Sequence, residues 1–245
     1  MKKYISVFCL IMRESFFKIF ALIILSLAVQ ASLVFFCMPI AAGEEIPSVT
    51  AVFDMSKIHI VFYVLITALA VLLCKTGMQF RTSVGYTLKR LRIREESIFF
   101  IQCIYNFLII SIAVLLEVIL CFYLASFAAD NLPEKFITTQ SVYLAFYKTQ
   151  FIQNLFAGRD VLRIIRNIIG MLAFSCNCGA LSFLYRRGKK WFGIAIILPI
   201  FFRMLKPDGL KLTDTVTDVI IISAFSVLLV SAVAAVFVGR EQDEI

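Results

Sequence analysis

From Ile19 to Ile40 the chain carries no charged side chain. A helix needs roughly 20 apolar residues to cross about 30 Å of hydrocarbon, so this one run already constrains the fold. Comparable runs recur at 58–74, 98–127, 161–185 and 219–238, with a shorter one at 191–205 that contains Pro199 and reads as a short span, a broken one or a re-entrant hairpin supported by its neighbours. Backbone N–H and C=O groups find no water in lipid, so apolar runs of this length fold as helices. The expected fold class is an all-α integral membrane protein, a single domain over 1–245 with six transmembrane helices. Composition agrees, with 61% hydrophobic residues, 25 Phe and a mean hydropathy of +0.94. A chain of 245 residues that spends its length on spans leaves no room for a separate soluble catalytic domain.

The net charge of +8 does not point to nucleic acid, because the basic residues border the apolar runs instead of forming a nucleic-acid-binding pattern. Lys75, Arg81, Lys89, Arg90, Arg92 and Arg94 crowd the segment 75–97, and Arg186, Arg187, Lys189 and Lys190 follow the fourth span. Basic residues at span ends mark the cytoplasmic face. The connection 41–57 holds Glu44, Glu45 and Asp54 against one lysine, which suits the outer face. Both termini are therefore expected in the cytoplasm, with the chain passing repeatedly through the cell membrane.

Two further segments read as interfacial. Residues 2–18 place Tyr4, Phe8, Ile11, Met12 and Phe16 on one side of a helix and Ser6, Arg13, Glu14 and Lys18 on the other, an amphipathic pattern expected to lie in the interface. On the outer side, within 130–160, Thr149, Gln150, Gln153 and Asn154 oppose Phe151, Ile152, Leu155 and Phe156 in the same manner, with Tyr143 and Tyr147 suited to an aromatic belt. In the last span, Ser231, Ala235 and Gly239 repeat small residues at a spacing that admits a close helix neighbour.

The sequence lacks a Gly-rich phosphate loop, a helix with paired histidines and a Gly-x-Ser-x-Gly elbow, so no enzyme, cofactor or catalytic residue is expected. Glu95-Glu96 invites comparison with intramembrane proteases, but the single histidine, His59, lies upstream of it. Cys176 and Cys178 have no second ligand pair, and the seven cysteines sit mostly in apolar runs as small hydrophobes, so neither a metal site nor a disulfide framework is expected.

Polar residues at membrane depth are costly unless they face protein or water. Gln30, Gln102, Asn106 and Asn177 meet that description and are candidates to line a path; Glu117 does too. Glu117 lies in the outer half of the third span while Arg163 and Arg166 enter the fourth span from the same side, so an ion pair between Glu117 and Arg166 is geometrically possible, the alternative being that both snorkel or pair elsewhere.

The basic loop reads Tyr86-Thr87-Leu88-Lys89-Arg90-Leu91-Arg92-Ile93-Arg94-Glu95-Glu96, with Val84, Leu88 and Leu91 at helical spacing. An amphipathic arm, two spans, this loop and four further spans resemble the permease subunits of type-2, exporter-class ABC transporters, particularly small ones of Gram-positive bacteria. The resemblance covers the layout of nearly the whole chain and one loop motif. It implies a coupling helix, with Leu88, Arg90, Leu91 and Arg94 docking on cytoplasmic ABC ATPase subunits, a second permease subunit as partner, and export of a peptide, lipid or hydrophobic compound. The largest outer segment here lies between spans three and four, whereas the family carries its outer helices between spans five and six. A rival expectation is a stand-alone membrane immunity protein that sequesters an amphipathic peptide at Tyr143 to Phe156. A secondary transporter ranks third, since no inverted repeat is visible and only Glu117 is a candidate coupling carboxylate.

Overall fold

A computed structural model describes residues 2–42, 48–78, 95–131, 142–143, 148–156, 160–205 and 214–241. All regular structure among the described residues is α-helical: α1 (Lys2–Ala42), α2 (Val49–Ser56), α3 (Ile58–Met78), α4 (Glu95–Asn131), α5 (Gln150–Phe156), α6 (Val161–Arg186), α7 (Gly193–Leu205) and α8 (Asp214–Glu241). Five of them, α1, α3, α4, α6 and α8, are long and apolar enough to cross a membrane, which makes this a multi-pass membrane protein. The sixth expected span, 191–205, is instead the 13-residue α7, about 20 Å long and too short to cross unaided.

The N-terminal arm is corrected as well. Residues 2–18 are not a separate interfacial helix but the first turns of α1, which runs to Ala42. Neither Gly nor Pro occurs before Pro39 to end it. The arm has a protein partner, because Val7 and Ile11 are buried, Phe8 packs edge-on against Tyr105 at 5.8 Å, and Ser15 hydrogen-bonds the Tyr105 hydroxyl. The apolar stripe read from the sequence thus has two uses: Ile11 turns to the bundle, while Tyr4, Met12 and Phe16 remain exposed.

Pair contacts fix the directions. Phe8 with Tyr105, Gln30 with Glu117 and Phe35 with Phe127 make α1 and α4 parallel. Gln102 with Ser182, Asn106 with Ser175 and Ser111 with Met171 make α4 and α6 antiparallel. Gly170 against Phe225 and Ala180 clustered with Ala232 and Val236 set α8 parallel to α6. One end of the bundle therefore collects the start of α1, the end of α3, the start of α4 and the ends of α6 and α8. Arg187 meets Glu95 there at 2.9 Å and lies 4.6 Å over the Phe183 ring. We call this the basic end.

Helix boundaries follow local chemistry. Ser48 caps α2 through Ala51 N–H, and Asp160 caps α6 through Leu162 N–H at 3.1 Å. At the other end of α6, Lys189 N–H bonds Leu184 C=O and Gly188 N–H bonds Tyr185 C=O, with Gly188 at φ +73°. This pairing closes a Schellman turn, in which glycine takes the left-handed position without a Cβ penalty. The chain then folds back into the bundle: a Cβ on Gly193 would fall 2.1 Å from Asn177 Oδ1, so α7 begins beside Asn177, nine residues short of the end of α6. From there α7 runs away from the basic end, and the Phe202 ring lies 4.9 Å from that of Tyr63, near the start of α3.

Close packing of α6 on α8 depends on Gly170, where a Cβ would sit 2.8 Å from the Phe225 ring. Gly170→Ala is expected to lower stability by about 1–3 kcal/mol through overpacking. Adding Phe225→Leu should recover part of that loss, both read as unfolding midpoints in detergent. An unchanged midpoint for Gly170→Ala would contradict the α6–α8 register.

Candidate functional site

The chemistry-bearing residues form two groups. The first is a polar seam between helices. Gln30 of α1 donates Nε2–H to Glu117 Oε2 of α4 at 3.0 Å, both side chains fully buried. Further toward the start of α4, Gln102 donates to Ser182 Oγ at 2.8 Å and Asn106 donates to Ser175 C=O at 3.3 Å. Asn177 donates to Ala173 C=O at 2.8 Å and to Leu228 C=O of α8 at 3.2 Å, and its Oδ1 accepts from Trp191 Nε1–H at 3.2 Å.

Each of the four sequence-predicted path residues, Gln30, Gln102, Asn106 and Asn177, is thus found in an interhelical hydrogen bond. Their hydrogen-bonding capacity is only partly used: Gln30 Oε1, Gln102 Oε1, Asn106 Oδ1 and Glu117 Oε1 are buried acceptors without a protein partner. Such groups at membrane depth are destabilising unless water or a ligand reaches them in another state, which marks the seam as a functional candidate.

The second group sits at the end away from the basic clusters. Arg166 of α6 meets Asp218 of α8 at 2.5 Å, with side-chain exposures of 4% and 6%. It also donates to Asn154 C=O of α5 and to Asn167 Oδ1. Asn167 in turn donates to the carbonyls of Asn154 and Leu155 at 2.9 and 3.2 Å, and Arg163 lies 3.3 Å from Asp160 and 3.7 Å from Asp218. This network ties α5 and α8 to α6 and gives the open C-terminal carbonyls of α5 their donors.

Of the two alternatives for Glu117 and Arg166, each pairs elsewhere and the ion pair between them is not formed. The register that opposes Ser111 to Met171 does put Glu117 level with Arg166, but the two point in different directions around their helices. Glu117 turns toward α1 and Arg166 toward α8. Asp218 was missed as a partner because it stands one residue before the apolar run at 219–238, where it reads as loop, although α8 starts at Asp214. Trp191, the only tryptophan, carried a usable signal: its indole N–H needs an acceptor when buried, and Asn177 supplies one.

All seven cysteines are free thiols. Two residues apart on α6, Cys176 faces Cys103 of α4 and Cys178 faces Cys74 of α3. No group of three or more His, Cys, Asp or Glu positioned to hold a metal occurs among the described residues. The predicted coupling residues Leu88, Arg90, Leu91 and Arg94 lie outside the described residues. Phe151, Ile152 and Leu155 of α5 are buried against the bundle, Phe151 lying 5.7 Å from Phe62, while Tyr143 and Phe156 are exposed.

Comparison of the chain with protein-family models, with curated proteins and with solved structures finds no match.

The Arg166–Asp218 pair generates a direct test. Asp218→Asn leaves a buried guanidinium without its counter-charge, and a loss of about 3–5 kcal/mol is expected. Replacing both residues by apolar ones, Arg166→Met with Asp218→Leu, should recover most of it. Unfolding midpoints that leave Asp218→Asn equal to the parent would show that the pair does not hold α8 to α6.

Proposed function

We propose that this chain is the membrane-spanning permease subunit of an ATP-driven exporter, in which separate cytoplasmic ABC ATPase subunits supply the energy and a second permease subunit completes the path. In this reading the basic end is cytoplasmic, since basic residues at span ends favour that side. Both termini then lie in the cytoplasm, and α7 together with the chain leading into it serves as the sixth traversal. The substrate would be a peptide, lipid or hydrophobic compound, and the chain itself performs no catalysis.

The observation that carries the proposal is the polar seam. Buried amides and a carboxyl that keep unused acceptors inside a helix bundle suit a protein with a second packing arrangement, in which those acceptors meet water or cargo. The position of the basic loop adds to it. The loop joins the end of α3 to the start of α4 at the basic end, where an amphipathic helix bearing Leu88, Arg90, Leu91 and Arg94 would reach an ATPase groove. ATP-driven rearrangement would then be delivered to α3 and α4, and through α4 to both Glu117 and Asn106.

The rival, a peptide-sequestering immunity protein, has less to draw on. Its aromatic outer segment spends Phe151 and Leu155 on internal packing and leaves Tyr143 and Phe156 outward.

Co-expression with ATPases encoded by neighbouring genes tests the permease reading. An ATPase subunit should co-purify with the parent chain in mild detergent. Leu88→Asp with Leu91→Asp should reduce that recovery at least tenfold while the chain still elutes as a folded species. Recovery of the chain alone, with ATPases demonstrably expressed, would refute the proposal and favour the rival.

A further inference from the structure

A cleft opens between α1 and α3 near the basic end. It is shallow and lined by Ser15, Lys18, Ile19, Leu72, Lys75 and Thr76. We propose that this cleft seats the phosphate of an anionic phospholipid, held between the ammonium groups of Lys18 and Lys75.

The donors are selected by what the neighbouring groups already do. Ser15 is buried and shared between Ile11 C=O and the Tyr105 hydroxyl, and Thr76 donates its proton to the carbonyls of Leu72 and Leu73. Lys18 and Lys75 are exposed and make no ion pair among the described residues; Glu14, one turn before Lys18, does not reach it. Two like charges from different helices that converge on one cleft repel each other, and an anion between them turns that repulsion into attraction.

The occupant's other half is set by what lies beneath. Ile19 and Leu72 line the cleft, and one to three turns further toward the middle of the bundle Leu25 on α1 and Val71 and Val64 on α3 are exposed apolar side chains. An acyl chain can lie along that strip while its phosphate stays with the lysines, which a free anion cannot do. Two uncompensated charges favour a headgroup with net negative charge over a zwitterionic one, whose own cation would be repelled. Basic pockets between helices at the cytoplasmic surface suit anionic headgroups for this reason. That this end faces the cytoplasmic leaflet rests on the orientation proposed above, but lipid retention in detergent reads the site whichever way the chain is inserted.

The test uses the full chain in mild detergent, supplied with phosphatidylglycerol or phosphatidylcholine, with bound lipid counted by native mass spectrometry. Phosphatidylglycerol should be retained and phosphatidylcholine should not. Lys18→Gln with Lys75→Gln should weaken phosphatidylglycerol retention about tenfold or more, the size expected from two surface lysines. Lys18→Arg with Lys75→Arg should keep it, which separates loss of charge from loss of fold, and Lys148→Gln, an exposed lysine elsewhere, should leave it unchanged. Inorganic phosphate should not displace the lipid. Equal retention of both lipids, equal retention by the double Gln variant, or displacement by inorganic phosphate would each overturn the proposal.

Discussion

Inside a bilayer a polar side chain can be satisfied only by another part of the protein or by water admitted with it, and this constraint organises the bundle around α6. Of the five long helices α6 is the least apolar and the most enclosed, and α8 the least enclosed. Ser175, Asn177, Ser182, Gly170 and Gly179 would be poor lipid-facing residues. On α6 they become the surfaces on which α4 and α8 settle. Gly179 admits Cys103 and Phe99 of α4, Gly170 admits Phe225 of α8, and Ser182 accepts from Gln102. The apolar exteriors of α1, α4 and α8 follow as a consequence, because lipid is the solvent on their other sides.

The same constraint explains the short helix. A chain leaving α6 through the Schellman turn at Gly188 could have stayed at the surface, but Trp191 carries it back to Asn177, and α7 starts within the bundle. Backbone at membrane depth that is not helical is tolerated where protein surrounds it. Of residues 189–192, Trp191 is half-buried against Asn177, whereas Lys190 and Phe192 are exposed. Asn177 therefore has three tasks: it bonds its own helix, bonds α8 through Leu228 C=O, and receives Trp191. Moving α7 would break the third of these while leaving the first intact.

Much of this was legible in the sequence for one reason: long apolar runs have a single structural solution in lipid. The runs at 19–40, 58–74, 98–127, 161–185 and 219–238 each fall within a long helix, and Pro199 with the shortness of 191–205 already set that segment apart. The buried polar residues were also legible, since Gln30, Gln102, Asn106, Glu117 and Asn177 stand out in apolar surroundings. Their partners were not, because hydropathy gives depth along a helix and says little about direction around it. Glu117 and Arg166 share a level and diverge in azimuth, so proximity in depth suggested a pair that the fold does not make. The N-terminal arm failed differently: an amphipathic stripe looks alike whether its partner is the lipid interface or, as for Val7 and Ile11, a protruding helix such as α4.

α7 and its approach return the chain across the bundle, so that the start of α1, the connection between α3 and α4, and the end of α8 share one side. Reporters that are active only in the cytoplasm, fused before Lys2, inserted between Met78 and Glu95, and fused after Ile245, measure this directly. All three should be active, and a fourth placed between Asn131 and Thr149 should be silent. A C-terminal reporter on the opposite side from the loop reporter would contradict the return through α7, and with it the arrangement on which the permease proposal depends.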